Sequence, residues 1–365
     1  YHIRRVVADL RLIQKIMKKT IFATLAAALV LASCAKVEVT EVPDSRAIGF
    51  DNFVTNAVKS IDDATLTTFF VYGGWGNTSD AGLVFENQEV TYTALNQECS
   101  YTPVKYWVEQ IYRFAAYTDN NAALENDNLS FDATSGHMTI SNYLADGSAD
   151  NAEQDLLYAV AQENTNGYNG AEYVAGTATD PVKFDFKHIL SQVTFKFTKD
   201  ATLNGTTITI NNLKVEACTT ANFTGADITG TQYERTCWSG HNTMTKNDVD
   251  LTGSEISTDE GKYSIRRAFI PQVLNASSVA YNLTFDITFN QPDENGTAGA
   301  GESKTLSYEV AINGTEDGNW NPGYSYLYTA NITDETLKLN SIKFVVTSVG
   351  QWEDDSNVNI VPKAN

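Results

Sequence analysis

The sequence predicts an all-β protein built from antiparallel β-sandwiches. Three observations predict this class. Apolar and polar residues alternate with a period of two, Val, Ile, Phe, Tyr and Thr are abundant, and turn residues recur about every eight to twelve positions. A strand with this alternation buries one face and exposes the other, as in antiparallel sheets that pack face to face. With 42% hydrophobic residues, the chain can form one large or two medium cores.

The clearest alternating segments lie in the second half of the chain. They are residues 182–187, 193–197, 208–210, 281–289 and 306–310. Turn sequences rich in Asn, Asp, Gly and Pro stand at residues 204–205, 293–296, 313–314, 317–318 and 321–323. Helical periodicity is almost absent outside the N-terminal segment. Residues 151–161 (NAEQDLLYAVA) fit either a short helix or a strand that enters a turn.

The length of the chain predicts two domains. Roughly 330 residues follow Cys34, whereas a single sandwich of this kind has about 100. A loop-like stretch at residues 162–180 separates an aromatic-rich first half from a more regular second half. We therefore expect an N-terminal β-sandwich domain at residues 47–180 and a C-terminal β-sandwich domain at residues 181–365.

The N-terminal segment has the pattern of a bacterial lipoprotein signal peptide. The basic sequence MKK at residues 17–19 precedes an apolar run at residues 21–32 that is too short to span a bilayer. The sequence LASC at residues 31–34 follows, and it has the order of a lipobox, in which the cysteine is acylated and becomes the new N-terminus. The pattern predicts lipidation of Cys34.

These features divide the front of the chain into three parts. Residues 1–16 are expected to be an over-extended gene start, residues 17–33 the signal peptide and residues 34–46 a leader. Ala35, and not the Asp associated with inner-membrane retention, follows the cysteine, so we expect delivery to the outer membrane. A lipid on Cys34 would tether a soluble body through this leader.

Charge and cysteine content argue against several kinds of partner. A net charge of −20 leaves no basic surface that could neutralise phosphates, so nucleic acid is not an expected partner. No CxxC sequence occurs and the histidines are far apart, so no metal site is expected. Cys218 and Cys237 are the closest pair of cysteines, but a disulfide between them leaves an odd thiol, and the pairing stays open.

Catalytic motifs are missing from the sequence. It contains no G-x-S-x-G, no H-E-x-x-H and no Gly-rich phosphate loop after a strand, so neither an enzyme nor a cofactor is expected. His188 stands among strand residues and is interpreted as a hydrogen-bonded packing residue. Trp75, within YGGWG at residues 72–76, is the best candidate for stacking on a glycan, because glycines around an aromatic residue suggest a loop that exposes its ring. Most other aromatic residues sit at core positions of strands.

A series of short motifs occurs in a defined order behind the lipobox. They are RAIGF (46–50), FFVYG (69–73), YW (106–107), YRFAAY (112–117), DLLYA (155–159), FDFKHILS (184–191), FIPQ (269–272), WNPGYSY (320–326) and VGQWE (349–353). In this order they resemble the fimbrillin-like family, the lipoprotein-derived subunits of type V pili and related surface proteins of anaerobic Gram-negative bacteria. The resemblance runs from Cys34 to about Trp352.

The resemblance implies a pair of transthyretin-like β-sandwich domains and a structural or adhesive role in fimbriae. Family subunits reach the outer membrane as lipoproteins, and a trypsin-like protease then cuts after a basic residue near the mature N-terminus. Loss of the first strand opens a groove, which a donor strand from a neighbouring subunit fills by β-strand addition. The implied partners are other fimbrial subunits and, through the lipid on Cys34, the outer membrane.

Carried onto this chain, the resemblance places the cut at Arg46, in an acidic leader. Lys59 is the alternative, because it follows the apolar segment at residues 48–54 that would be the removable strand. Residues 342–349 alternate only in part and the tail at residues 357–365 is brief for a donor strand, which argues against a polymerising stalk role. The second reading is a non-polymerising, surface-anchored lipoprotein that binds a glycan or a host protein.

Overall fold

β-Strands form nearly all of the regular structure in this computed structural model. The structure describes residues 47–54, 65–76, 82–107, 112–146, 154–161, 181–225, 234–249, 254–256, 261–264, 266–274, 281–312, 318–337 and 345–351. All of them belong to the unit Ala47–Asn365. Cys34, Arg46 and Lys59 lie outside the described residues.

The strands are numbered in chain order. The first nine are β1 (Phe50–Val54), β2 (Thr68–Trp75), β3 (Gly82–Thr93), β4 (Glu98–Ser100), β5 (Tyr112–Asp119), β6 (Leu129–Asp132), β7 (His137–Leu144), β8 (Leu156–Val160) and β9 (Val182–His188). The next are β10 (Ser191–Lys199), β11 (Thr207–Ala217), β12 (Thr220–Thr224), β13 (Trp238–Ser239), β14 (Thr245–Asp248), β15 (Ser254–Glu255), β16 (Lys262–Tyr263) and β17 (Arg267–Phe269). The remaining elements are β18 (Gln272–Val273), β19 (Asn282–Asn290), β20 (Ser303–Ala311), β21 (Asn319–Trp320), β22 (Tyr324–Ile332), the short helix α1 (Asp334–Leu337) and β23 (Val345–Gln351).

A seven-stranded sheet dominates the first half, with the order β1-β9-β8-β5-β2-β3-β4. One of its faces buries an aromatic-rich core, which we call the first core, with members from β1, β2, β3, β5, β8 and β9. The two outermost strands, β1 and β4, also contact each other. The sheet therefore curls around the first core.

The other face of this sheet packs on a second core. A four-stranded sheet, with the order β13-β12-β7-β6, covers it. Because the central strands have a core on each side, β2 and β8 are buried on both faces and show little or no alternation. The segment that fitted either a helix or a strand contains β8, so the strand reading is confirmed.

A sandwich of two five-stranded sheets makes up most of the second half. One sheet has the order β16-β10-β22-β23, with β17 beside β10, and the other has the order β14-β11-β19-β20, with β15 beside β11. A third core lies between them. Here the strands alternate as expected, because each has one face on the core and one face toward solvent.

The all-β class is confirmed, and most strand pairs are antiparallel. Among the described strands, two pairs are parallel: β1 with β9, and β10 with β22. Parallel neighbours require a long crossover between them, and here each crossover contains many other strands, some of them in the same sheet. Sequence periodicity cannot detect this, because it reports which face of a strand is buried and not which neighbour it pairs with.

The domain division near residue 181 stays a prediction. The strand that follows this position, β9, lies between β1 and β8 in the seven-stranded sheet. Farther along the chain, β12 pairs with β7 in the four-stranded sheet. The sheets of the first half are thus built from strands on both sides of residue 181.

Candidate functional site

The most informative site is β1, one of the two outermost strands of the seven-stranded sheet. It runs parallel to β9 with the register Phe50 to Val182. The N–H of Val182 donates to the carbonyl of Gly49 at 2.8 Å, and the N–H of Ile48 donates to the carbonyl of Lys105 at 2.9 Å. Residues on both sides of Gly49 are therefore held by backbone hydrogen bonds.

The side chains of this segment enter the first core. Ile48 is 1% exposed and Phe50 is 6% exposed. The Phe50 ring centroid lies 5.2 Å from those of Phe85 and Tyr101 and 5.9 Å from that of Phe184. Aromatic side chains contribute large buried areas to a core. Removing Ile48 and Phe50 would therefore leave an apolar slot beside these rings.

The neighbouring strand β9 has the pattern that a strand at such a slot needs. Its Val182, Phe184 and Phe186 are fully buried on the side of the first core, and the residues between them point away. Pairing to β8 occupies its other side. Without β1, β9 would present an open backbone edge next to an unfilled apolar slot, which is the arrangement that β-strand addition uses.

A groove of about 520 Å³ opens next to β1, between the two outermost strands of the curled sheet. The lining residues are Phe50, Thr93, Asn96, Gln97, Glu98, Cys99, Ser100 and Pro181. Six of these eight come from the hairpin that joins β3 to β4. Most of the lining residues are polar, and Phe50, although buried, forms part of the groove wall.

Trp75, the candidate glycan contact, lies at the end of β2. It is half-buried and packs against the first core. Its ring stands over Gly82 on the paired strand, since a Cβ at Gly82 would lie 3.5 Å from the ring. Part of the ring is thus used for packing inside the protein, and a role in glycan binding stays a prediction.

A buried polar cluster lies where the ends of several strands of the first half meet. His188 Nδ1 and Asp155 Oδ1 are 2.7 Å apart, and both side chains are buried. His188 is therefore hydrogen-bonded, as expected for a packing residue. The Tyr143 hydroxyl donates to Asp119 Oδ2 at 3.1 Å. Burial raises the pKa of Asp119 to about 6, and the nearby Asp155 adds to this shift.

Sequence reasoning identified only His188 of this cluster. Asp155 stands in the motif DLLYA, but its contact with His188 depends on the antiparallel register of β8 and β9, in which Leu157 pairs with His188. Asp119 and Tyr143 carry no sequence signal, because one ends a strand of the seven-stranded sheet and the other lies on the covering sheet.

Two further kinds of site, a disulfide and a metal centre, are not formed by the described residues. Cys218 and Cys237 are not joined by a disulfide, and the Cys218 thiol lies 3.0 Å from the carbonyl of Asn242. Within the described residues, no group of three or more His, Cys, Asp or Glu side chains is arranged to hold a metal ion. The same part of the chain contains no helix long and apolar enough to cross a membrane.

The structure is that of an all-β protein in which an outermost strand, β1, places a side chain in a core, and comparison with known proteins identifies its family. The model of the fimbrillin-like family matches residues 55–352. This chain belongs to the fimbrillin-like family, and it is accordingly a structural or adhesive protein and not an enzyme. Among curated proteins there is no significant match.

Several solved structures are similar to this chain. A fimbrial protein from Bacteroides vulgatus is 16% identical, with a TM-score of 0.55, and the match covers 84% of this chain and 99% of that one. The fimbrial anchor protein Mfa2 from Porphyromonas gingivalis is 10% identical over 84% of this chain and 96% of that one, with a TM-score of 0.35. A fimbrial assembly protein from Parabacteroides distasonis is 9% identical, with a TM-score of 0.39 and coverage of 84% and 96%. The B. vulgatus structure shows a shared fold.

Proposed function

We propose that this protein is a structural or adhesive subunit of cell-surface fimbriae that is assembled by exchange of its first strand. It is exported as a lipoprotein through Cys34 and delivered to the outer membrane. The family match supports the fimbrial role, and the lipobox pattern supports the route of export. Its partners are other fimbrial subunits.

The position of β1 is the observation that carries this proposal. β1 comes from the start of the described chain and lies at one edge of its sheet, and Phe50 of β1 fills an aromatic slot together with Ile48, which precedes the strand. A strand of this kind can be exchanged for a strand of another subunit with alternating apolar residues. The exchange satisfies the backbone edge of β9 and the slot at the same time.

The two candidate cut sites have different consequences. Arg46 directly precedes Ala47, which already forms a bridge with Tyr106, so a cut there leaves β1 attached to the body. Lys59 follows β1 in the sequence, so a cut there separates β1 from the rest of the chain. We therefore assign strand exchange to cleavage after Lys59 and removal of the leader to cleavage after Arg46.

Limited proteolysis with matched variants tests this assignment. The protein that starts at residue 35 is treated with trace trypsin, and the new N-terminus and the size distribution are followed for wild type, Arg46→Ala and Lys59→Ala. We expect SDS-resistant oligomers in wild type and Arg46→Ala, after a cut at Lys59, and none in Lys59→Ala. Oligomers in Lys59→Ala would contradict the assignment.

The same experiment addresses the second reading, a non-polymerising lipoprotein that binds a glycan or a host protein. The half-buried ring of Trp75 is the observation that favours it. A cut after Lys59 that leaves a stable monomer, with β1 still bound, would support this reading in place of strand exchange.

A further inference from the structure

The polar cluster around Asp119 lies inside the junction between the two sheets of the first half. Asp119 ends β5 in the seven-stranded sheet, whereas Tyr143 lies on β7 in the four-stranded sheet. Their hydrogen bond of 3.1 Å therefore joins the two layers. The N–H of Asn120 also donates to the carbonyl of Asp155 at 3.1 Å, which ties the end of β5 to the start of β8.

The hydrogen bonds of this cluster are one donor short. Among the described residues, Oδ1 of Asp119 and Oε1 of Gln154 are buried acceptors without a donor. Gln154 lies beside both Asp119 and Tyr143, and its amide nitrogen already donates to the carbonyl of Leu144 at 2.6 Å. If the Gln154 side-chain amide were flipped, its oxygen would face the carbonyl oxygen of Leu144, and two acceptors would repel each other. One added proton on Asp119 would supply the missing donor for Gln154 Oε1.

The charges of the cluster are also unbalanced. The titratable groups that face it are Tyr117 and Asp119 on β5, Tyr143 on β7, Asp155 before β8 and His188 on β9. Two carboxyl groups thus share one imidazole. The charge of Asp155 repels a negative charge on Asp119, and burial of Asp119 makes that charge more costly still.

We propose that this cluster is a proton-operated latch, which takes up one proton on Asp119 in mildly acidic solution and then holds β7 more tightly against β5 and β8. In this step a proton from solvent forms an O–H bond at Oδ1 of Asp119. The new hydroxyl donates to Oε1 of Gln154, and Tyr143 continues to donate to Oδ2. Asp155 keeps its hydrogen bond with the imidazole of His188.

The titration of Asp119 agrees with this geometry. Burial raises its pKa from 3.8 to about 6, the charge of Asp155 raises it further, and the Tyr143 hydroxyl partly opposes the shift. Because the folded pKa is above the unfolded one, the folded state binds the proton more tightly. The stability from this group is fully present below the unfolded pKa, and it is lost as pH rises through about 6.

Urea denaturation of the full chain tests the latch at pH 5 and pH 7.5. Wild type is compared with Asp119→Asn, whose amide can donate to Gln154 at any pH. The control is Asp127→Asn, at an exposed carboxylate before β6. We expect the ratio of unfolding equilibrium constants, wild type over Asp119→Asn, to be about tenfold larger at pH 7.5 than at pH 5. An unchanged ratio, or the same change in Asp127→Asn, would overturn the proposal.

Hydrogen exchange provides a second test, which reads the layer that the latch holds. After correction for the intrinsic effect of pH, protection of the β7 amides in wild type is expected to rise several-fold from pH 7.5 to pH 5. In Asp119→Asn, which cannot take up the proton, protection of the same amides is expected to change little. An equal rise in wild type and Asp119→Asn would overturn the latch.

Discussion

At the scale of single residues, close backbone approaches determine which side chains the first half can accept. Gly74 on β2 faces both the β6–β7 hairpin and β3. A Cβ at Gly74 would stand 2.5 Å from Ala133 Cβ and 2.7 Å from the carbonyl oxygen of Gly82. The glycines of YGGWG were interpreted from sequence as a loop around an exposed ring, but Gly73 and Gly74 lie within a buried strand.

Gly74→Ala is therefore expected to destabilise the protein by about 1–3 kcal/mol, the usual cost of overpacking. Gly82→Ala is the matched control, because its Cβ would make an ordinary contact of 3.5 Å with the Trp75 ring. Urea denaturation of both variants measures the difference. If the two substitutions had equal effects, the close approach at Gly74 would not be the cause.

At the scale of elements, a buried side-chain hydrogen bond joins β8 to β9 in addition to their backbone hydrogen bonds. Asp155 directly precedes β8 and His188 ends β9, close to the point where Leu156 of β8 pairs with Asp119 of β5. The sequence allowed His188 to be identified as a packing residue from its strand neighbours. Its partner was not predictable, because two positions 33 residues apart meet only through the register of the sheet.

Asp155→Asn is expected to destabilise the protein by about 1–3 kcal/mol, because it disturbs a buried hydrogen bond to His188. Asp185→Asn is the matched control on β9. Asp185 pairs with Lys187 at 3.1 Å near the surface, where such pairs contribute about 0–1 kcal/mol. Thermal and urea unfolding would measure the loss of stability in each variant. If Asp185→Asn lost as much stability as Asp155→Asn, the buried contact with His188 would not be the cause.

The predictability of each element follows from its surroundings. Strands of the second half, such as β11 and β19, alternate because each has one core face, and their positions could be predicted from the period alone. β8 could not be distinguished from a helix, because a core on each side removes the alternation. The apolar segment at residues 48–54 was identified as a removable strand through its family resemblance, and β1 lies within it.

At the scale of the whole molecule, the all-β class was predictable, but the connection of the sheets was not. Turn residues and periodicity determine strands and faces, whereas the parallel pairs β1–β9 and β10–β22 join segments that are distant in sequence. These long-range pairs also create the candidate site. A cut after Lys59 would break the covalent link between β1 and the rest of the chain. β1 would then be held only by noncovalent contacts, which include its pairing with β9.

Strand exchange at β1 requires that another strand can fill the slot that β1 occupies. This is tested most directly by the size distribution of protein cut after Lys59 in the presence of excess synthetic peptide spanning residues 47–59. We expect this peptide to refill the slot and to shorten the oligomers in proportion to its concentration. The same peptide with Phe50→Asp should have no effect, because the aromatic contact is lost. Oligomers of unchanged length at saturating wild-type peptide would contradict strand exchange at β1.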